Sequence, residues 1–382
     1  MTDRILTTHV GALQRTPEAE AALLGEAPAE QLAAAVADVV RRQVEVGIDV
    51  VNDGEYGKSI WQWYVTERLG GIERQDLRGL APLRGRDHLR FPEFYAYAQE
   101  TPDVLFHGRD RAFWAAIATR PVCVGPITYD PTAVHRDIAN LKAALDGVEV
   151  ADAFMPVVAP ASAEVDMGNE HYATQEELLW ALADALREEY RAIVDAGFQL
   201  QVDDAWIPAL WDHEPGLDLE TYHAHCRIRV EALNHALEGL PVERVRYHLC
   251  WGSWHGPHAT DIPLEDIVDL MLAVNAGTYL VEAANVRHEH EYHLWETTRL
   301  EEGKKLAPGV VTHSTNLIEH PELVAERIVR FAERVGRENV IASTDCGMGS
   351  RIHPELGWAK LAALAEGCEL ATRQLWGAAA AA

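Results

Sequence analysis

The sequence predicts an α/β chain that closes into a (β/α)8 barrel with an insertion after the second strand. Two observations carry that expectation. Eight short apolar, β-branched runs alternate with longer amphipathic stretches, the pattern of βα units around a parallel sheet. Polar residues of chemical interest recur just after those runs, as expected where the C-terminal ends of parallel strands share one face.

The candidate strands are 5–10, 49–52, 122–125, 199–202, 245–249, 279–281, 310–312 and 340–343. Helical periodicity falls between them, at 28–46, 174–196, 219–237, 264–275, 321–335 and 356–374. An open doubly wound sheet is the competing arrangement, but eight strands with intervening helices favour closure. The segment 55–119 is too long for a simple βα loop and is rich in aromatics, including Trp61, Trp63, Tyr64, Phe91 and Tyr95. It is expected to cover a barrel mouth, the alternative being an excursion over the outside. A second excursion is expected at 150–174. Residues 1–376 then form one unit, and the alanine-rich 377–382 is expected to be a disordered tail.

Composition narrows the function. The chain has 382 residues, with 33 Lys+Arg against 60 Asp+Glu and a formal net charge of −27. Nucleic acid and anionic membrane surfaces are therefore poor partners, since both need a positive face. The N-terminus carries no apolar run of the signal-peptide kind, and no stretch approaches the roughly 20 apolar residues of a membrane span. Five widely spaced cysteines argue for reduced thiols rather than a disulfide framework, hence a cytoplasmic protein.

The strand ends supply the candidate site. His9 follows the first strand, Asn52-Asp53-Gly54-Glu55 the second, and Asp203-Asp204 the run at 199–202. His248 and Cys250 follow next, then Glu282, His313, and Asp345-Cys346. In His-x-Cys on a strand, both side chains point to one side because strand side chains alternate with period two. Two thiols, an imidazole and a carboxylate (His248, Cys250, Glu282 and Cys346) make a set suited to tetrahedral Zn2+, and the sulfurs argue against Mg2+ or Ca2+. Taken alone, His-x-Cys also describes a buried histidine beside a buried cysteine. Just beyond Cys250, the tract 251–258 places Trp251 and Trp254 where they could wall a substrate pocket, or pack as a lid loop. His288, His290 and His293 follow Glu282 and suit a polar loop, or donors to the metal-binding residues, better than a second metal site.

These residues resemble the catalytic barrel of cobalamin-independent methionine synthase and its shorter relatives, which include the epoxyalkane:coenzyme M transferases. The matching stretches are Thr8-His9-Val10-Gly11-Ala12, Asn52-Asp53-Gly54-Glu55, Val124-Gly125-Pro126-Ile127-Thr128 and Gln201-Val202-Asp203-Asp204. They continue with Tyr247-His248-Leu249-Cys250, Val281-Glu282-Ala283, Val311-Thr312-His313-Ser314 and Thr344-Asp345-Cys346-Gly347. The resemblance implies zinc on His248, Cys250, Glu282 and Cys346, a small thiol activated as thiolate, and an alkyl donor as second partner. It places a functional histidine at His313, read here as general acid. Asp203 and Glu55 would bind the ammonium of an amino-acid thiol or orient neighbours, and His9 is divided between a structural and a pocket role.

Ala12 stands where the synthases usually carry a serine, and the 125–132 stretch lacks the tryptophan that stacks on folate there. These departures raise the epoxide:thiol reaction beside the methionine-synthase-like methyl transfer. A cationic pocket for a sulfonate would discriminate the two, with Arg4, Lys58 and Arg351 as candidates. A zinc-assisted hydrolase or lyase on the same barrel is a further reading, disfavoured because two thiolates make the metal a poorer Lewis acid. A non-catalytic metal-binding barrel is the last. A homo-oligomer is compatible with all of these.

Overall fold

The computed structural model describes residues 3–76, 85–106, 109–165, 167–349 and 351–377. The eleven strands of the described residues are β1 (Leu6–Thr7), β2 (Val50–Val51), β3 (Leu69–Asp76), β4 (Thr119–Tyr129), β5 (Asp152–Val158) and β6 (Gly168–Asn169). They continue with β7 (Gln199–Asp204), β8 (Val245–Leu249), β9 (Thr278–Val281), β10 (Lys305–Val311) and β11 (Ile341–Thr344).

Eight of them form one sheet in the order β1-β11-β10-β9-β8-β7-β5-β2, with every pairing parallel. The backbone bond from Asp49 N–H to the Thr7 carbonyl (3.2 Å) brings the two outer strands together, so the sheet closes on itself. This is the (β/α)8 barrel the sequence predicts. Strands β8 and β9 are almost wholly buried, as expected of parallel strands covered on both faces.

The helices form where caps and periodicity agree. Thr174 accepts from Glu177 N–H (3.1 Å) at the start of Gln175–Asp195, and Asp218 accepts from Thr221 N–H (2.8 Å) at the start of Leu219–Leu237. Proline opens Pro321–Val335 and Pro354–Trp376, where its missing N–H costs nothing. The helix expected at 264–275 is instead a 3-10 turn, Leu264–Asp266, followed by the short helix Val268–Leu272.

Two expectations need correction. The run at 122–125 is not a barrel strand. It lies in β4, which pairs antiparallel with β3 and parallel with β6 in a separate three-stranded sheet. The third barrel strand is β5, inside the segment expected to be an excursion at 150–174. Pro156 in its middle reads as a strand breaker, yet it keeps its place in register opposite Gln201.

The expected insertion at 55–119 thus includes β3 and several short helices, and it is tied to the barrel's outer helices by a buried cation. The guanidinium of Arg68, 3% exposed, bonds Asp137 at 2.5 Å and Glu189 at 2.7 Å. The tail at 378–382 lies outside the described residues. No helix among the described residues is long and apolar enough to cross a membrane.

Candidate metal and substrate site

Strand β8 runs through the middle of the sheet, and its alternation places Arg246, His248 and then Cys250 along one row. Cys346 follows β11, three strands away around the barrel. The ring nitrogen of His248 and the sulfurs of Cys250 and Cys346 lie within 4.8 Å of one another, and all three residues are buried. Donor atoms around tetrahedral zinc stand roughly 3.3–3.8 Å apart, so shifts of about 1 Å or less complete the geometry.

The neighbours prepare these groups. Nδ1 of His248 lies 3.0 Å from Asp203 Oδ1, and Gln201 donates to the same carboxylate oxygen at 2.8 Å. With Nδ1 donating to Asp203, Nε2, which lies 3.4 Å from the Asp345 carbonyl oxygen, is the ring nitrogen left for an ion, the carboxylate–histidine arrangement usual at metals. A hydrogen bond between the two thiols lowers Cys346 well below the ordinary thiol range and raises Cys250. The charge of Arg351 adds to the depression at Cys346. One of the two sulfurs is therefore disposed to be a thiolate, the form that binds metal. The donor set fits Zn2+.

Glu282 stands beside this group but outside the three-atom cluster. Its carboxylate accepts from Trp251 N–H at 3.2 Å and from Asn285 Nδ2 at 3.0 Å. Burial raises its pKa, and the charge of Cys346 raises it further. Asp345 Oδ1 accepts the N–H groups of Ala283 (2.8 Å) and Ala284 (2.9 Å), which locks the end of β9, with Glu282, against the end of β11, with Cys346.

A cavity of about 630 Å3 opens over the sulfurs. Its lining includes His248, Cys250, Cys346, Asp203 and Glu55, with Trp61, Phe106, Phe113 and Trp254 as aromatic walls. Parts of the 55–119 segment therefore line the same cavity as the strand ends. Burial and the nearby Asp203 charge push Glu55 up to about 7, opposed by Lys58. Gly11 makes room for it, because a Cβ there would meet the Glu55 carboxylate.

Other sequence candidates fall elsewhere. His9 does not line the cavity. Its Nε2 contacts Gln43 at 2.8 Å, its ring stands edge-on to Phe154, and burial lowers it to about 4, which supports a structural role. Trp251 does not line it either. It is 1% exposed, donates from Nε1 to the Ile262 carbonyl (2.7 Å) and stacks on His288 at 3.8 Å. His288 in turn bonds Asp261 (3.1 Å) and Glu291 (2.9 Å), while Asp261 also holds His258 at 3.0 Å. These histidines form a carboxylate-bridged network behind Glu282, and among the described residues they join no metal-type cluster.

His313 is buried at the end of β10, outside the cavity's lining, with Nδ1 unpartnered. Burial takes it down to about 3, opposed chiefly by the charge of Cys346. It is thus a neutral imidazole, so any proton it gives depends on negative charge arriving beside it. Asp204 is structural: it accepts from Ser162 Oγ (2.9 Å) and Tyr247 OH (3.1 Å). Of the three candidate cations, Arg4 pairs with Asp49 (2.7 Å) near the start of β1, and Lys58 donates to the Pro156 carbonyl. Only Arg351 lines the main cavity, and it is joined there by Arg109, which lies within the long 55–119 segment and follows no candidate strand.

Residues 167–366 match the family described as "Cobalamin-independent synthase, Catalytic domain". A methionine synthase of Thermococcus kodakarensis is 24% identical over 357 residues, covering 92% of this chain and 88% of the relative. A 2-hydroxypropyl-CoM lyase of Xanthobacter autotrophicus is 24% identical over 377 residues, covering 91% and 86%. Among solved structures, a B12-independent methionine synthase from Shewanella sp. W3-18-1, in complex with selenomethionine, superimposes with a TM-score of 0.73 at 21% identity, over 97% of this chain and 99% of the other. The family match covers more than half of the chain, and the protein belongs to the cobalamin-independent synthase catalytic-domain family.

Proposed function

We propose that this protein transfers a methyl or larger alkyl group to a small thiol, with Zn2+ as its resident metal. The observation that carries the reading is the convergence of His248, Cys250 and Cys346 within 4.8 Å at the floor of a cavity of about 630 Å3. His248, Cys250 and Cys346 would hold the ion, with Glu282 as the adjoining fourth donor. When bound, zinc supplies the Lewis acidity that keeps a thiol deprotonated at neutral pH.

The chain's own groups do the rest. Asp203 keeps the His248 proton on Nδ1. Glu55 and Asp203 form the acidic wall that suits the ammonium of an amino-acid thiol. Trp61, Phe106, Phe113 and Trp254 exclude water from the reacting atoms, which strengthens every charge interaction inside. His313 is assigned the proton that the leaving atom takes up, its charged form favoured by anionic sulfur at Cys346. Residues 1–376 act in this reading as one barrel unit, with 55–119 over its mouth.

Methyl transfer to a homocysteine-like thiol is the first form of the reaction. Addition of a thiol to an epoxide is the second, favoured by the likeness to the 2-hydroxypropyl-CoM lyase and by the absence of a hydroxyl at Ala12. The test mixes zinc-loaded protein with homocysteine or 2-mercaptoethanesulfonate in weak buffer and reads proton release and transfer. About one proton per metal, followed by alkylation by methyltetrahydrofolate or a short epoxide, is expected. Tight zinc binding with neither proton release nor transfer would contradict the proposal.

A further inference from the structure

Two arginines, Arg109 and Arg351, face the cavity and donate hydrogen bonds to backbone carbonyls, with the charges of Cys346 and Asp110 acting on Arg109. Arg351 is 5% exposed, and it donates from Nη1 to the Gly347 carbonyl at 2.9 Å. Arg109 donates from Nη2 to the Ser253 carbonyl at 3.2 Å and lies over the Phe113 ring at 4.6 Å. The Nε of each is buried with no hydrogen-bond partner among the described residues. Asp110, next in sequence to Arg109, is engaged by Arg15 at 2.8 Å and caps Phe113 N–H at 2.9 Å.

Two other buried arginines are paired with carboxylates: Arg68 holds two, and Arg327 bonds Glu289 at 3.0 Å. Arg246, away from the cavity, spends its head on Thr8 Oγ1 (3.1 Å), the His9 carbonyl (3.2 Å) and the face of Phe154. Arg109 and Arg351 are also close enough to repel. Burial, then the charge of Arg351, brings the Arg109 guanidinium down to about 9. Two like charges set together at the cavity, with unspent N–H groups and only the Cys346 sulfur and Asp110 to offset them, are further stabilised by an anion brought from outside.

The position says which anion. Both arginines line the same cavity as Cys250 and Cys346, and both also line an adjoining recess with Ala12 and Glu55. Ala12 offers no hydroxyl there. Glu55 and Asp203 add negative charge to the lining, so the cavity carries cationic and anionic groups together.

We propose that Arg109 and Arg351 together seat an oxyanion, the carboxylate or sulfonate of a short substrate whose other end reaches the cysteine pair. The placement of that reacting end rests on the function proposed above. The oxyanion seat does not, because it is a property of the arginines alone. Planar guanidinium groups pair with carboxylate and sulfonate oxygens by parallel N–H bonds, a match that neutral groups cannot copy.

The test titrates the full-length chain calorimetrically with probes that have no thiol: butyrate, 2-aminobutyrate, propane-1-sulfonate and neutral 1-butanol. The anionic probes are expected to bind about tenfold or more tightly than the alcohol, and Arg109→Met or Arg351→Met to lose roughly that factor. Arg351→Lys should recover part of it. Tighter propane-1-sulfonate would assign the seat to a sulfonate. Tighter 2-aminobutyrate would assign it to an amino-acid carboxylate whose ammonium meets Glu55 and Asp203. Equal binding of alcohol and anions by the native protein would overturn the proposal, whatever the variants do. So would unchanged anion binding by both methionine variants at unchanged thermal midpoints. None of the probes carries a thiol and no alkyl donor is present, so a failure of thiol transfer would leave this result standing.

Discussion

Replacing Asp203 with asparagine probes the geometry at its most sensitive point. Asp203 Oδ1 holds His248 Nδ1 at 3.0 Å and also receives Gln201 Nε2 at 2.8 Å. The substitution keeps the size of the side chain but removes its charge, and the new amide can turn a donor toward Nδ1. A charge-assisted bond contributes about 1.5–3 kcal/mol and a neutral one about 0.5–1.5. The loss is therefore about 1–2 kcal/mol, or roughly five- to thirtyfold in metal affinity, overlapping the lower part of the roughly 10–100-fold found for partners of ligating histidines. Competition against a chromophoric chelator at pH 7.5 reads this directly. Zinc affinity in Asp203→Asn within twofold of the native value, with the fold intact, would refute the claim that Asp203 orients a ligating histidine.

Three other substitutions test separate parts of the structure. Glu55→Gln should alter the pH dependence of stability. Burial raises the native carboxyl to about 7, so between about pH 4.5 and 7 the folded state holds a proton that the unfolded chain has lost. That contribution to stability is present at low pH and falls as pH rises through this window. The variant should gain on the native protein between pH 5 and pH 8 in paired thermal melts, and a constant difference would count against it. Arg68→Met should cost about 3–5 kcal/mol in denaturant unfolding, because it strands Glu189 in the interior and leaves Asp137 with Arg136 alone (2.8 Å); a loss under 1 kcal/mol would show the triad to be incidental. Gly11→Ala should cost about 1–3 kcal/mol by driving a Cβ against the Glu55 carboxylate, and it should weaken 2-aminobutyrate binding in the same titration.

Much of the fold was legible because the barrel imposes local signatures. Strands β7, β8 and β9 are short runs with few alternatives, and their C-terminal ends carry Asp203, His248 and Glu282 in the expected order. The third strand was not legible. An apolar run such as 122–125 looks the same in a barrel and in an accessory sheet, and Pro156 disguised β5. The candidate site divides in the same way. Period-two alternation identified His248 with Cys250, yet the same reasoning could not tell that Trp251 turns inward to stack on His288 while Trp254 turns to the cavity. Arg109 sits in the long segment after β2, where its nearness to Arg351 arises only from tertiary packing. Asp203 and Asp204 are adjacent in sequence and both line the cavity, yet they hold different partners, His248 for one and Ser162 with Tyr247 for the other.

The central claim is that one ion is gripped by two sulfurs and one imidazole drawn from the ends of two strands, β8 and β11. X-ray absorption at the zinc edge of the loaded protein tests it most directly. The account predicts two sulfur scatterers at about 2.3 Å and nitrogen or oxygen at about 2.0–2.1 Å, with one sulfur lost in Cys346→Ser. A shell of nitrogen and oxygen alone, or a spectrum unchanged by that substitution, would contradict it.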